Sequence, residues 1–209
     1  MATVDLAPVS VSESPARRLP QLLAGLVLYG VSMGLQIRSV LGLDPWDVFH
    51  DALSKRTGLS FGTITAITGA AVLLCWLPLR QRPGVGTVCN ILLIAVAVDA
   101  TLALLPIPRL LVVRIVLLVA GVVLNGLATA LYIGARLGPG PRDGLMTGLH
   151  ARTGWSIRLI RTVIELTVLV TGFLLGGTVG VGTVIYALAI GPLAQAFLPL
   201  VTWRRPAAE

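Results

Sequence analysis

The pentapeptide Gly-Val-Gly-Thr-Val occurs twice, at residues 84–88 and at residues 180–184, and the two occurrences are 96 residues apart. The same offset aligns residues 30–102 with residues 126–198 without a gap. Apolar residues match by chance in an apolar chain, but Gly, Pro, Asp, Arg and Ser at one constant offset indicate duplication of a structural unit. Such matched pairs include Gly42 and Gly138, Pro45 and Pro141, Asp47 and Asp143, Arg56 and Arg152, and Ser60 and Ser156. The chain is therefore predicted to consist of two copies of one unit.

The composition excludes a soluble protein. Of the 209 residues, 56% are hydrophobic and only 12% are charged, and the mean hydropathy is +0.91. Soluble domains carry about 25% charged residues, so this chain cannot cover a surface that faces water. The net charge of +7 fits the basic loops of a membrane protein, and no basic block with interleaved aromatic residues predicts nucleic-acid binding. We interpret Cys75 and Cys89 as packing residues, because they lie in apolar runs without metal-ligand spacing.

Charge-free stretches predict an all-α bundle of about six membrane spans, because one span needs roughly 20 residues. The longest stretch, residues 166–203, holds 38 residues without a charge, and the glycines between 176 and 182 divide it into two spans. The predicted spans are approximately residues 20–41, 59–79, 86–105, 110–135, 157–176 and 180–202. The predicted segments are a disordered cytoplasmic tail (1–18), a first three-span repeat (19–108), a second three-span repeat (109–203) and a C-terminal cytoplasmic tail (204–209).

Each copy holds three predicted spans, so the second copy enters the membrane from the opposite side and the copies are predicted to be inverted. Inverted repeats are common in secondary transporters, whose sites lie at the repeat interface. The alternative is a duplication that serves only the stability of the fold. The positive-inside rule places both termini in the cytoplasm, because most arginines then fall on that side. These are Arg17, Arg18, Arg80, Arg82, Arg136, Arg142, Arg152, Arg204 and Arg205.

A short helix is predicted after the first span of each copy. Asp44 can cap the first such helix, Pro45 suits its first position, and Gly58 ends it, while Gly154 ends its counterpart. About a dozen residues are too few to cross a membrane. Two interpretations are open. The helix either lies in the membrane interface with Trp46 at headgroup depth, or it is a half-helix that dips towards the centre and points its N-terminus at a site.

Asp47 and Asp143 occupy equivalent positions near the starts of these two helices. In inverted copies they flank one shared site, where they are predicted to bind a cation or relay a proton. The alternative is that both acids serve only as helix caps. Trp46 precedes Asp47, and Arg142 takes the place of this tryptophan in the second copy.

Ionisable side chains within predicted spans are costly in lipid and are therefore functional candidates. Asp99 in the third span has no partner nearby in sequence and is a candidate proton-linked carboxylate. Glu165 follows Arg161 by four residues, so the two form either a structural ion pair or part of a coupling site. Asn90 either joins helices by hydrogen bonds or contributes to the site. The predicted solute- or ion-binding residues are Asp47, Asp143, Asp99, Glu165, Arg161, Trp46 and Asn90, and no metal site is predicted.

Small residues recur four positions apart in two of the spans. They are Gly30 and Gly34 in the first span, and Gly126, Ala130 and Gly134 in the fourth. Small side chains let helix backbones approach closely within a membrane. We therefore predict a close contact between the first and fourth spans, which are equivalent in the two copies.

Three stretches of the first copy carry a resemblance to known proteins. They are Gly42-Leu43-Asp44-Pro45-Trp46-Asp47-Val48, Thr57-Gly58-Leu59-Ser60-Phe61-Gly62 and Pro78-Leu79-Arg80-Gln81-Arg82-Pro83-Gly84-Val85-Gly86-Thr87. Together they resemble the signatures of the YczE/YitT-type bacterial integral membrane proteins, and the likeness extends from about Leu19 to Trp203. The resemblance implies a multi-pass protein of a bacterial plasma membrane and brings no established substrate.

Enzyme signatures are missing from the sequence. His50 and His150 are not paired, and H-E-x-x-H, G-x-S-x-G and P-loop motifs do not occur. We therefore expect a protein that is not an enzyme and needs no cofactor. The expected function is transport of a small solute or ion through a site at the repeat interface. The alternative is an accessory or binding membrane protein that assists another complex. The expected partners are the lipid bilayer and a small solute or ion, not nucleic acid, and homo-oligomerisation is left open.

The inverted arrangement predicts that the two short helices reach opposite faces of the membrane. Cysteines are introduced at Ser54 and at His150 in a chain whose Cys75 and Cys89 have been replaced. An impermeant maleimide should label these two positions from opposite sides of oriented vesicles. Equal labelling of both from one side contradicts the inverted arrangement.

Overall fold

The computed structural model describes residues 8–203, which form eight α-helices and contain no strand. The helices are α1 (Pro15–Ser39), α2 (Pro45–Thr57), α3 (Phe61–Leu79), α4 (Val85–Leu104), α5 (Leu111–Gly134), α6 (Pro141–Thr153), α7 (Ile157–Leu174) and α8 (Val181–Val201). The predicted all-α class is confirmed. The two short helices, α2 and α6, have 13 residues each and correspond under the 96-residue offset.

Five helices of the described range are long and apolar enough to cross a membrane, namely α1, α3, α4, α5 and α8. The helix α7 does not meet that criterion, since its 18 residues include Arg158, Arg161 and Glu165. At 13 residues, α2 and α6 are too short to cross. The architecture is therefore that of a multi-pass membrane protein. Six spans are present only if α7 also crosses the membrane.

The predicted signals at the ends of the short helices are present. The Asp44 carboxylate accepts hydrogen bonds from the backbone N–H groups of Trp46 and Asp47, at 2.8 and 2.9 Å. Gly58 and Gly154 end α2 and α6 in the left-handed region, with φ of 73° and 72°. Because glycine adopts this region at little cost, each short helix ends where the sequence predicts.

A reciprocal pair of backbone hydrogen bonds joins the two copies. The Gly182 N–H in the first turn of α8 donates to Leu41 O at 2.8 Å, and the Gly86 N–H in the first turn of α4 donates to Leu137 O at 2.9 Å. These donors and acceptors correspond under the 96-residue offset. Each bond links the start of a helix in one copy to the linker that precedes the short helix of the other.

The repeated Gly-Val-Gly-Thr motif lies at these contacts because glycine allows the two backbones to touch. A Cβ on Gly86 would lie 2.8 Å from Gly138 O, and a Cβ on Gly182 would lie 2.7 Å from Gly42 O. The linker glycines, Gly42 and Gly138, have φ of 121° and 122°, which other residues rarely adopt. The motif found in the sequence is thus the packing site between the copies.

The helix contacts show the same reciprocity. The helix α1 packs against its counterpart α5, and the two run antiparallel, because Arg18 in the first turn of α1 contacts Ala135 just beyond the end of α5. The packing of α1 on α4 matches that of α5 on α8. Likewise, α2 packs on α7 and α6 packs on α3, so each short helix lies against a long helix of the other copy.

The predicted close contact between the first and fourth spans is present as α1 on α5, but the small residues that the prediction named for it pack elsewhere. Gly30 and Gly34 face α4, since Cβ atoms there would lie 2.6 Å from Ala97 Cβ and 2.5 Å from a Thr101 methyl carbon. Gly126 faces Leu193 of α8 in the same way. Two other glycines, Gly25 and Gly121, lie at the α1–α5 contact. A spacing of four marks a face of a helix, but it does not identify the helix that packs there.

Arg18 ties the start of α1 to the ends of α5 and α8. Its five N–H groups donate to backbone carbonyls at 2.6–3.1 Å, and its guanidinium lies 4.9 Å from the centre of the Trp203 ring. The acceptors are the carbonyl oxygens of Val9, Ser10, Glu13, Ala135 and Arg136. Val9, Ser10 and Glu13 of the predicted disordered tail therefore contact Arg18, and the prediction is wrong for the last four residues of this tail, since α1 begins at Pro15. The rest of that tail, residues 1–7, and the predicted tail at 204–209 lie outside the described residues.

Gly86→Ala is expected to lower the free energy of unfolding by about 1–3 kcal/mol, because the new Cβ collides with backbone that cannot rotate away. Thermal unfolding of the purified protein in detergent measures the loss. Gly191→Ala is the matched control, since no atom lies within 4 Å of a Cβ at that position. A melting temperature of Gly86→Ala equal to that of Gly191→Ala contradicts the tight contact.

Candidate functional site

The first turns of α2 are buried inside the bundle, whereas its C-terminal end is exposed. Asp44, Trp46, Asp47 and His50 have exposed fractions of only 1–6%, while Arg56 in the last turn is exposed. Trp46 therefore faces the protein interior and does not lie among lipid headgroups, which corrects the interfacial interpretation. The helix packs on α7 and on α3, and its buried polar side chains lie in the centre of the bundle.

Arg142 of α6 extends to this cluster from the other copy. Its guanidinium nitrogens lie 4.0 Å from Asp44 Oδ1 and 3.9 Å from Asp47 Oδ1. The guanidinium also lies 4.7 Å from the centre of the Trp46 ring, in cation–π geometry. One cation thus faces two carboxylates, at distances longer than a direct hydrogen bond.

Asp143, next to Arg142, has a different set of partners. The Tyr132 hydroxyl of α5 donates to Asp143 Oδ2, and the Gly140 N–H hydrogen bonds to the same carboxylate. The Trp76 indole N–H donates to Pro141 O at 3.0 Å and holds the start of α6 against α3. Asp143 therefore caps its helix and is also anchored to a spanning helix.

Several buried polar atoms of this cluster have no hydrogen-bond partner within residues 8–203. They are Asp44 Oδ2, Asp47 Oδ2, Trp46 Nε1 and His50 Nε2. His50 Nδ1 lies 3.2 Å from Asp47 Oδ1 and 3.4 Å from Thr65 Oγ1. Buried polar groups are normally satisfied by protein or by another bound species, so these atoms make the cluster the candidate site of this protein.

Two cavities adjoin the cluster, one of about 180 Å³ and one of about 70 Å³. Residues of α2, α5, α6, α7 and α8 contribute to the wall of the larger cavity, and α3 and α4 contribute to that of the smaller. Both cavities are bordered by the same five side chains, Tyr29, Trp46, Tyr132, Arg142 and Asp143. Arg142 therefore lies between the two cavities.

The two cavities correspond under the 96-residue offset, but their walls differ in charge. In the smaller cavity His50, Thr65 and Gly69 contribute to the wall. Met146, Arg161 and Glu165 occupy the equivalent places in the larger one. The fold thus repeats the cavity, while the substitutions make the second version charged.

The structure brings together most of the predicted site residues. Trp46, Asp143 and Asn90 border the smaller cavity, and Asp47 contacts Arg142 beside it. Arg161 Nε donates to Glu165 Oε1 at 2.8 Å, as the spacing predicts, and both border the larger cavity.

Asp99 lies apart from the cavities. Its carboxylate accepts hydrogen bonds from Ser60 Oγ at 2.6 Å and from the Gly62 N–H at 2.7 Å, at the start of α3. This geometry is that of a carboxylate at a helix N-terminus, so the Asp99 side chain has a structural role in which it joins α4 to the start of α3.

Sequence reasoning missed the central position of Arg142 and the role of Asp44 as its partner. The exchange of Trp46 for Arg142 between otherwise matched motifs was the available signal. Three tyrosines, Tyr29, Tyr132 and Tyr186, border the larger cavity, and no motif in the sequence singles them out.

Burial has the largest effect on the pKa values of the two acids at the start of α2. It raises the pKa of Asp44 and of Asp47 above the ordinary Asp value, and Arg142 offsets only part of this rise. Burial also lowers the pKa of His50, which favours the neutral imidazole in its contact with Asp47. Within residues 8–203 no group of three or more His, Cys, Asp or Glu side chains is placed to hold a metal ion.

These features define a class of protein: a multi-pass integral membrane protein whose two short helices place ionisable residues in the centre of the bundle. The chain belongs to a family of unknown function, DUF6198, whose family model matches residues 16–199.

Two bacterial proteins are similar to this chain over most of its length. The chain is similar to an uncharacterized protein of Haemophilus influenzae, with 41% identity over 180 residues, 86% of this chain and 83% of the relative. It is similar to the uncharacterized membrane protein YczE of Bacillus subtilis, with 36% identity over 179 residues, 84% of this chain and 83% of YczE. The resemblance inferred from the sequence motifs is thereby confirmed. No solved structure matches the chain.

The raised pKa values of Asp44 and Asp47 predict that the folded protein loses stability as the pH rises. The folded state holds protons that the unfolded chain releases above about pH 4, so unfolding becomes easier until the folded-state pKa values are passed. The lowered pKa of His50 acts in the opposite direction over this range, but the two raised carboxyl pKa values outweigh it, so the melting temperature in detergent is expected to be higher at pH 5.5 than at pH 8.

Asp47→Asn is expected to reduce this dependence on pH, because the amide does not titrate. Asp51→Asn is the control on the same helix, since Asp51 pairs with the exposed Lys55 at 2.7 Å. An unchanged pH profile in Asp47→Asn contradicts the burial effect.

Proposed function

We propose that this chain is a secondary transporter of a small solute, with its site in the cavities between the starts of α2 and α6. The observation that carries the proposal is the meeting of Asp44 and Asp47 from one copy with Arg142 and Asp143 from the other, beside those cavities. Ionisable residues inside a membrane bundle are costly and typically mark pathways for ions or substrates. Short helices whose N-termini point at a central site are a feature of transporters with inverted repeats.

The proposal includes six spans in two inverted copies, with both termini in the cytoplasm of a bacterial cell. The antiparallel packing of α1 and α5 supports inversion. Arg18 contacts Trp203, and Gln21 Nε2 donates to Val201 O at 2.9 Å, so the start of α1 and the end of α8 lie at the same end of the bundle, as an even number of crossings requires. The charges of α7 are compatible with a span, because Arg161 and Glu165 pair and border the larger cavity.

The reciprocal contacts supply a basis for alternating access. Each short helix packs mainly on a long helix of the other copy, α2 on α7 and α6 on α3. In transporters built from inverted repeats, one repeat or bundle moves against the other around a fixed site. Movement of α2 with α7, or of α6 with α3, would open one cavity while the other closes.

The experiment is flux into proteoliposomes that contain only this chain, measured over a panel of metabolites with and without an imposed pH gradient. Wild type is expected to accumulate at least one solute. Asp47→Asn and Asp143→Asn are expected to lose most of this flux while folding survives, because the shape is kept and the charge is removed. Monodisperse gel filtration and an intact thermal transition check folding.

Asp51→Asn is the matched control, since it makes the same change on α2 outside the cavities, and it is expected to keep the flux. Retention of flux by both Asp47→Asn and Asp143→Asn contradicts the proposed site. If Asp99→Asn alone fails, the coupling group lies in α4. Absence of flux for every solute with wild type favours an accessory or binding protein.

A further inference from the structure

The Arg142 guanidinium is itself a cation that occupies a binding place beside the larger cavity. It faces the Trp46 ring at 4.7 Å and lies 3.9–4.0 Å from one oxygen each of Asp44 and Asp47. An aromatic face together with carboxylates is the usual protein environment for a guanidinium or a substituted ammonium group. The surroundings of the Arg142 guanidinium are therefore suited to a guanidinium or a substituted ammonium group.

Arg142 occupies this place loosely. Both of its distances to carboxylate oxygens exceed the range of a direct hydrogen bond, and Asp44 Oδ2 and Asp47 Oδ2 have no partner within the described part of the chain. The Arg142 side chain is 24% exposed and borders both cavities. It has space on either side into which its guanidinium can move, and two buried carboxylate oxygens are left to accept N–H groups from a ligand.

The charge balance of the cluster favours a second cation. Asp44, Asp47 and Asp143 supply three carboxylates at the starts of α2 and α6. Each helix N-terminus contributes about half a positive charge, and Arg142 contributes one, so the cluster retains about one negative charge at a pH above the raised pKa values of its carboxyl groups, where all three are ionised. Arg161 does not cancel it, because this arginine is paired with Glu165 at 2.8 Å. An anion would reach Arg142 only by competing with carboxylates already beside it.

The residues that line the larger cavity favour an organic cation over a bare metal ion. Tyr29, Tyr132 and Tyr186 border the larger cavity together with Trp46, and its volume of about 180 Å³ admits a small molecule. Aromatic faces attract cations that shed their water easily, whereas metal sites need several converging oxygen, nitrogen or sulfur ligands.

We propose that the larger cavity binds a small organic cation with a guanidinium or substituted ammonium head, which takes the place of the Arg142 guanidinium between the Trp46 ring and the carboxylates of Asp44 and Asp47. The inference rests on the proposed function, since it names the class of solute for the same site. Arg142 acts as the internal competitor of the solute and moves towards the smaller cavity when the solute binds.

The test uses methylguanidinium and tetramethylammonium chlorides as probes, with the purified full chain at constant ionic strength. Sodium chloride is the reference, and sodium acetate is the anionic probe. Both organic cations are expected to raise the melting temperature of wild type in a saturable manner, and acetate is expected to leave it at the reference value. No saturable rise with either organic cation, or a saturable rise with acetate, overturns the proposal.

Two variants locate the binding. Asp47→Asn is expected to weaken methylguanidinium binding about tenfold or more, because one of the two carboxylates that face the cation is lost, and Asp51→Asn is expected to bind like wild type. Arg142→Ala removes the competitor and is expected to bind methylguanidinium about tenfold more tightly than wild type, and to regain lost melting temperature when the probe is added. Equal or weaker binding by Arg142→Ala overturns the exchange of the ligand with Arg142, and this readout stands even if Asp47→Asn fails to fold.

Binding and flux separate the two proposals. If the probes bind but proteoliposomes show no flux of any solute, transport is contradicted and the cation site stands. If a solute that is not a cation crosses and the probes do not bind, the cation site is contradicted and transport stands.

Discussion

The two crossed backbone hydrogen bonds, from Gly182 N–H to Leu41 O and from Gly86 N–H to Leu137 O, hold the arrangement of the two copies together. The linkers before α2 and α6 are not helical, and such backbone is tolerated in a membrane only where protein satisfies its polar groups. Each linker finds its donor in the first turn of a helix of the other copy. That donor is available because the first N–H groups of a helix have no acceptor within it, and the two copies therefore depend on each other.

This constraint places the charged starts of α2 and α6 in the interior of the bundle, where they must compensate one another. A buried charge that loses its partner destabilises a protein strongly, which accounts for the grouping of Arg142 with Asp44 and Asp47 and of Asp143 with Tyr132. The fold makes the two cavities equivalent, and divergence of the copies makes their walls unlike. Trp46 and Arg142 occupy equivalent positions in the two copies. Because one is aromatic and the other is a cation, they form a cation–π contact between the copies.

Local chemistry explains which predictions succeeded. The starts and ends of α2 and α6 follow from Asp44, Pro45, Gly58 and their counterparts, because capping depends on a few neighbouring backbone groups. The Arg161–Glu165 pair follows from a separation of four residues on one helix. The predicted contact of the first and fourth spans is present as α1 on α5, but the glycines named for it were wrong: Gly30 and Gly34 pack on α4, because spacing along one helix gives the face and not the neighbour.

The sequence by itself determined the membrane class, the duplication, the short helices and the family, since these depend on composition, constant offsets and local motifs. The tertiary structure decided that α2 packs on α7 and α6 on α3, and that residues separated by about 96 positions, such as Trp46 and Arg142, meet in one contact. It also decided which acids share the central cation, and it placed the Asp99 carboxylate of α4 against the start of α3, away from the cavities. The physical reason is that local motifs act through neighbouring backbone groups. The partner of a buried charge, in contrast, depends on the close approach of two copies that are far apart in the sequence.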